Sequence, residues 1–353
     1  MSDLKLRIAT RKSALALAQT TMAADAIGVP YELVSMTTEG DRRLDKSLAS
    51  FGGKGVFIKE LEIALLEGRA DIAIHSLKDM PAEVLPQFKL AAVLKREDPR
   101  DAFLSRGGAA GIRFMDLPAG ARVGTGSIRR VVQLKALRPD LEYVPIRGNI
   151  QTRIGKLAEL DGVVLAAAGL KRMGLADQVT EYFSTERVLP ASGQGILAIE
   201  TLNDETAQES RGIRHPERSA KREVEGSRLA CNEISQILAR ANDVATFCIA
   251  SAEMAYLKAL NAGCQFPVAS FAEFVDSAEN RGARESSIHE SSACDACEGD
   301  ARTLKIRGIY WDENSSRLLR AETSSAIDLN SADSVQQAKN IGIALAREIQ
   351  KQL

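Results

Sequence analysis

The stretch Arg122–Arg153, RVGTGSIRRVVQLKALRPDLEYVPIRGNIQTR, carries seven basic residues against two acidic ones and puts its cations where helices begin. Val123 closes a short apolar run, Gly124-Thr125-Gly126-Ser127 is a turn, and Ile128, Val131 and Val132 fall at i, i+3 and i+4, a helical spacing. Arg129 and Arg130 therefore stand in a first helical turn. The amino end of a helix already carries partial positive charge from unpaired N–H groups, so two guanidiniums there require an anionic partner, most simply an acidic ligand. The pattern then repeats. Val144 and Ile146 read as strand, Arg147-Gly148-Asn149 as a turn with Asn149 capping, and Ile150, Ile154 and Leu157 as one helical face that carries Arg153. A solvated basic face accounts for a lone Arg-Arg pair; recurrence at two strand-to-helix turns favours an anion site.

The same device extends outward along the chain. Leu4, Leu6 and Ile8 alternate as a strand that runs into Thr10-Arg11-Lys12-Ser13 and a helix with Leu15, Ala18 and Met22 on one face. A second strand lies at Tyr31–Met36, and Gly52-Gly53-Lys54-Gly55, which lacks P-loop spacing, precedes a helix with Ile58, Leu61 and Leu65. Asp71–His75 is a buried-type strand entering Ser76-Leu77-Lys78-Asp79, and Val163–Ala168 enters Gly169-Leu170-Lys171-Arg172. Five strand ends of one kind, alternating with helices, predict mainly parallel α/β sheets that bind ligands at the carboxyl ends of their strands.

Two such units are expected, residues 1–95 and 96–190, with a cleft between them. After Leu189–Gly195, an apolar strand at Ile196–Glu200 returns to the first unit, which takes residues 196–215. Residues 206–243 read as a polar connecting insert with a short helical face at Ile234, Ile237 and Leu238. An α+β third unit, 244–353, has a helix marked by Ile249, Ala252, Met254 and Leu257, strands at Val268–Val275, Leu304–Tyr310 and Leu318–Glu322, and a last helix at Ala332–Lys351. Ser277–Ala301, poor in large apolar residues, is expected to be a mobile loop.

Bulk composition narrows the ligand. With 46 basic and 47 acidic residues in 353 and a formal net charge of −1, the basic excess is local, which points to a small anion rather than nucleic acid. The opening MSDLKLRIATRK has no apolar signal core and no run long enough to span a membrane occurs, so a cytoplasmic protein is expected, with its five cysteines reduced. Cys294-x-x-Cys297 with His289 lacks a fourth ligand, and no metal is expected.

The motifs RIATRKSALAL around Arg11, GGKGVFIKELE from Gly52, HSLKDMP from His75, REDPRDAF from Arg96, GTGSIRR from Gly124, RGNIQTR from Arg147, AAGLKR from Ala167, PASGQG from Pro190 and GCQFPV from Gly263 together resemble the porphobilinogen deaminase (hydroxymethylbilane synthase) family, collinearly over nearly the whole chain. The resemblance implies two α/β domains like the halves of periplasmic anion-binding proteins (type II) plus a small α+β C-terminal domain. It implies a dipyrromethane cofactor joined by a thioether to Cys264, onto which four porphobilinogens are added with loss of ammonia before water releases the linear tetrapyrrole. A monomer without nucleic-acid or membrane partners is expected.

Residue by residue, the resemblance makes Asp79 the catalytic carboxylate. It gives Arg11, Ser13, Lys54, Ser76, Lys78, Thr125, Ser127, Arg129, Arg130, Arg147, Gly148, Arg153, Arg172 and Gln194 to cofactor and substrate binding. The chemistry suits these types. Each pyrrole brings carboxylates that cations must neutralise, and positive charge that develops on the rings favours an ionised carboxylate nearby. His75 is expected to be structural. The chain departs from the family pattern at Asn261-Ala262 before Gly263-Cys264 and at Gly126, without losing a reacting group. The competing reading is a noncatalytic small-anion-binding module, which has no use for Cys264 on a third-unit loop.

Overall fold

The computed structural model describes residues 5–38, 58–207, 229–262, 266–275 and 301–353. Strands β1 (Leu6–Arg11), β2 (Tyr31–Met36), β3 (Ile72–Ser76), β4 (Phe88–Val93) and β10 (Leu197–Leu202) form one sheet in the order β2-β1-β3-β10-β4. β1 runs parallel to β2 and β3, and β10 is antiparallel to both of its neighbours. Strands β5 (Asp101–Ser105), β6 (Arg122–Gly124), β7 (Glu142–Val144), β8 (Gly162–Ala166) and β9 (Glu181–Tyr182) form a second sheet, β7-β6-β8-β5-β9, with β5 antiparallel to β8 and β9. The two-halved α/β architecture implied by the resemblance is present. Each sheet sets its antiparallel strand fourth, and that strand directly follows a crossover from the other sheet.

Helices cover both sheets because the strands are apolar on both faces. α1 (Ala14–Ile27) lays Ala23, Ala24 and Ile27 on Leu6, Ile8, Ile72 and Ile199, while α2 (Lys59–Leu66) lays Leu61, Ala64 and Leu65 on Ala9 and Ala73. Ser13 caps α1, its Oγ accepting from Ala16 N at 3.3 Å, and Gly28 ends it at φ 73°, a left-handed conformation suited to glycine. On the second sheet lie α3 (Ile128–Leu137), α4 (Ile150–Gly155) and α5 (Ala167–Arg172).

Two expectations need correction. The buried side of α1 holds Gln19, Thr20, Ala23, Ala24 and Ile27, whereas Met22 is exposed, so the Leu15-Ala18-Met22 stripe is not the core face. The buried side of α3 is Arg129, Arg130, Gln133 and Leu134, and Ile128 is exposed. The short helical face expected at Ile234, Ile237 and Leu238 is present as α6 (Cys231–Ala241), whose Ile234 and Leu238 join the first sheet's core. Of Ser277–Ala301 only Ala301 is among the described residues, and it opens a strand; His289, Cys294 and Cys297 lie outside them.

The third unit stacks α7 (Val244–Ala259) and α8 (Ser334–Gln350) on an antiparallel sheet of β11 (Val268–Val275), β12 (Ala301–Asp312) and β13 (Arg317–Asp328). Glu253 on α7, 0% exposed, joins this unit to both crossovers. Its carboxylate pairs with Arg96 Nη1 at 2.7 Å and accepts from Gly193 N at 2.5 Å and Ala272 N at 2.8 Å. Arg96 Nε donates to Gln194 O at 2.9 Å, and its guanidinium lies over the Phe271 ring.

α7 and α8 approach closely at Gly342, where an added Cβ would sit 2.0 Å from Ala252 O. Since backbone cannot yield as a side-chain tip does, Gly342→Ala should cost about 2 kcal/mol or more. Urea unfolding monitored by circular dichroism measures this; an unchanged midpoint would show that the helix pair separates freely.

Candidate active site

The turn after β3, Leu77–Asp79, brings Lys78 and Asp79 to the carboxyl edge of the first sheet, Asp79 exposed and Lys78 half-buried. Across from it stand the cations of the second sheet. Burial lowers the Lys78 pKa; Asp79 and Asp101 oppose the shift, and Arg130 and Arg129 reinforce it. Arg153 is likewise lowered by burial, with Arg130 and Arg147 reinforcing and Asp79 opposing. Lys78 thus lies within electrostatic reach of Asp79, Asp101, Arg129 and Arg130, and Arg153 within reach of Arg130, Arg147 and Asp79, across the two strand edges.

Arg129 and Arg130, 4% and 5% exposed, share one buried carboxylate. Asp101 Oδ1 accepts from Arg130 Nη2 at 2.8 Å, and Asp101 Oδ2 lies 2.9 Å from Arg129 Nη2. The second is a charge contact without hydrogen-bond alignment, since Oδ2 gains no hydrogen bond. Arg129 Nη1 also donates to Leu189 O, and Arg130 Nη1 to Val164 O at 2.9 Å. Burial pulls the Arg129 pKa down, opposed by Asp101, while burial's upward push on Asp101 is overcome by both arginines, leaving that carboxyl far below the usual range. The anion required at this helix start is therefore supplied, in part, by the protein.

The neighbouring turns hold their residues by ordinary backbone chemistry. Asn149 caps α4, its Oδ1 accepting from Thr152 N at 2.8 Å, as the sequence predicts. Gly148 sits at φ 106°, where a Cβ would meet Thr152 Cγ2 at 2.7 Å, and its carbonyl accepts from Arg153 Nε at 2.7 Å, so it aims Arg153. Thr125 is buried and accepts weakly from Ser127 N at 3.4 Å, while the Ser127 side chain makes no capping bond. Gln194, 0% exposed, donates from Nε2 to Asp101 Oδ1 at 2.9 Å and to Pro99 O at 2.7 Å.

Other predicted residues stand apart from this group. Ser13 is the α1 cap, Ser76 Oγ donates to Gln19 Oε1 at 3.2 Å, and half-buried Arg11 closes β1. Arg172 turns to the crossovers, donating to Gly195 O at 2.6 Å, and burial brings its pKa down to about 10 against the pull of Glu97. His75 is buried against Glu200 at 3.0 Å, consistent with a structural part. Lys54 and Cys264 lie outside the described residues. Sequence reasoning assigned no part to Asp101, although it stands within REDPRDAF, and none to Glu253; an acid just beyond a run of charges has no periodicity to betray that it is buried.

Among the described residues, no group of three or more His, Cys, Asp or Glu is placed to hold a metal, and no helix is long and apolar enough to cross a membrane. Two family models match the chain: "Porphobilinogen deaminase, dipyromethane cofactor binding domain" over residues 6–210, and "Porphobilinogen deaminase, C-terminal domain" over 247–351. A porphobilinogen deaminase of Syntrophus aciditrophicus is 40% identical over 353 residues, covering 98% of this chain and 94% of the relative. One from Thermobifida fusca is 40% identical over 358 residues, covering 100% and 95%. One from Clostridium kluyveri is 53% identical over 207 residues, covering 57% and 70%.

The crossover beside the site yields a pH prediction. Burial would raise the Asp98 pKa, but hydrogen bonds from Arg100, side chain and backbone, and from Lys171 bring it down to about 2. Its folded pKa being depressed, its contribution is complete above about pH 4 and is lost as pH falls toward 2. Asp98→Asn should lose about 1–2 kcal/mol near neutral pH, after discounting for solvent around Arg100 and Lys171, and the gap to wild type should close in acid. Denaturant melts over a pH series measure it, and a gap that does not change with pH would contradict it.

Proposed function

The chain belongs to the porphobilinogen deaminase family, and we propose that it joins four porphobilinogen molecules head to tail, with loss of ammonia, through the residues gathered at the two strand edges. It is a transferase of tetrapyrrole biosynthesis with a dipyrromethane cofactor. The observation that carries the site assignment is the approach of Lys78 to Arg129 and Arg130 and of Asp79 to Arg153 across the two strand edges. A noncatalytic anion-binding module finds no support in the family match.

The residues present suit a polycarboxylate pyrrole chain. Arg130 Nε and Gln194 Oε1 are buried without hydrogen-bond partners, a donor and an acceptor beside the cation cluster. Ser127 Oγ is not used in capping. When bound through Cys264, the dipyrromethane supplies the primer that the growing chain extends.

Lys78, Arg130, Arg147 and Arg153 neutralise acetate and propionate groups, and Gly148 holds Arg153 in place for this. Asp79 faces the same space with its carboxylate exposed, so it can stabilise the positive charge left on the substrate methylene as ammonia departs. It is also the base for the proton lost when the rings join. Arg129 and Thr125, both buried, shape the wall of the site. We take the protein to be a cytoplasmic monomer that meets neither nucleic acid nor membrane, the last point being supported by its net charge of −1 and the local character of its basic excess.

Because a thioether survives unfolding, denaturing mass spectrometry of the purified protein should show an excess over the sequence mass equal to two condensed pyrrole units, absent in Cys264→Ser. An active wild type of unmodified mass would rule out the covalent anchor.

Asp79→Asn preserves size and removes charge, leaving the cations untouched. Single-turnover kinetics on variant already carrying cofactor should show a fall of about 10²-fold or more with substrate binding largely retained. Near-normal turnover would remove Asp79 from the chemistry.

A further inference from the structure

We propose that Asp101 is a positioning residue for this reaction, holding Arg129 and Arg130 in place in the cleft wall while Gln194 ties it to the returning crossover. The inference rests on the function proposed above. Asp101 opens β5, directly after the first crossover, and pairs with Ala166, the residue from which α5 starts. Its side chain is 0% exposed, and each oxygen faces a different guanidinium at 2.8 and 2.9 Å. Gln194 Nε2 holds Asp101 Oδ1, Pro99 O and Arg100 O at 2.9, 2.7 and 3.3 Å, so the two crossovers meet at this carboxylate.

Two guanidiniums side by side at a helix start repel each other and are opposed by the helix dipole. One shared carboxylate removes most of that cost yet leaves the trio at net +1, two cations less one anion, so the cluster still attracts a carboxylate. It also spends the Nη groups of Arg130 on protein acceptors and leaves Nε uncommitted. Asp101 therefore decides which nitrogen of Arg130 remains for a ligand. Of the charged groups that face this trio, Arg153 comes from the second sheet and Lys78 from the first, so the trio's position also fixes the cation spacing across the cleft.

The test uses Asp101→Asn and Asp101→Glu, both checked by mass for full cofactor. Asp101→Asn should raise the KM for porphobilinogen about ten- to hundredfold, the scale of a lost charge-assisted contact. kcat should fall less, and Asp101→Glu should recover part of the loss. A crystal structure of Asp101→Asn should show the Arg129 and Arg130 guanidiniums displaced from their carbonyl partners. Should the single variant fail to fold, Asp101→Asn combined with Arg129→Gln, which keeps the net charge at +1, is read for KM in the same way. Unchanged KM with undisplaced arginines would make Asp101 merely structural and overturn the proposal. A wild type unable to turn over porphobilinogen would instead overturn the proposed function, and the arginine positions in the variant would still decide the part played by Asp101.

Discussion

The relative placement of the two sheets depends on one buried carboxylate. Both passages between them, residues 94–100 and 183–196, run past Glu253, which accepts from Arg96 of the first and from Gly193 of the second. A charge taken fully out of water is tolerated only when its partners are complete, and removing one partner of such a pair typically costs about 3–5 kcal/mol. Here the partners belong to both crossovers and to the third unit, because Ala272 N of β11 also donates to it. The third unit is thus a clamp on the crossovers as well as a small domain. Leu189 packing on Ala269, Phe271 and Ile309, and Arg307 pairing with Glu186, extend the grip along the second passage.

That clamp is what allows the site to be assembled in advance. Cations gathered for a polyanion repel one another before the ligand arrives, so each has to be held by something that does not compete fully for its charge. The chain uses carbonyls for this purpose. Leu189 O and Val164 O hold the α3 arginines, Gly148 O holds Arg153, and Gly195 O holds Arg172. A carbonyl orients a guanidinium without neutralising it, whereas Asp101, the one carboxylate against the α3 pair, is shared by two cations. Positive charge is preserved while conformational freedom is removed, which is the arrangement preorganised binding requires.

Much of this was legible in the sequence where a residue's task is local. Alternation placed β1 and β2, the Asn149 cap was readable from its position before Ile150, and the cations at strand ends pointed to the cleft. Other features depended on partners far away in the chain. β5 shows no polar and apolar alternation because all five of its residues are buried, Asp101 and Ser105 included. Asp101 contacts Arg129, Arg130 and Gln194, and no spacing rule links those positions.

The two helices whose buried faces differ from the apolar stripe show why periodicity errs at sites. In α3 the side turned inward is Arg129-Arg130-Gln133-Leu134, polar in three of four positions, while Ile128 is left in water. Transfer free energies alone would rotate this helix so that Ile128, Val131 and Val132 faced the core. What prevents it is that most of the inward polar groups are bonded: Gln133 exchanges two hydrogen bonds with the backbone of Leu189, and both arginines reach Asp101. A buried polar face bonded in this way has little to gain from returning to water, and it specifies one rotation and one register more sharply than apolar contact does. In α1 the constraint is milder. Thr20 bonds Thr10 Oγ1 at 2.6 Å and its own helix's Ala16 O at 2.8 Å, so small and polar residues fit closely over β1. Leu15 is then free to turn toward α5 on the other side of the cleft, where it comes near Gly169. In both helices, burial was decided by what the inward residues could bond to across the fold, and that property belongs to the assembled chain rather than to the segment.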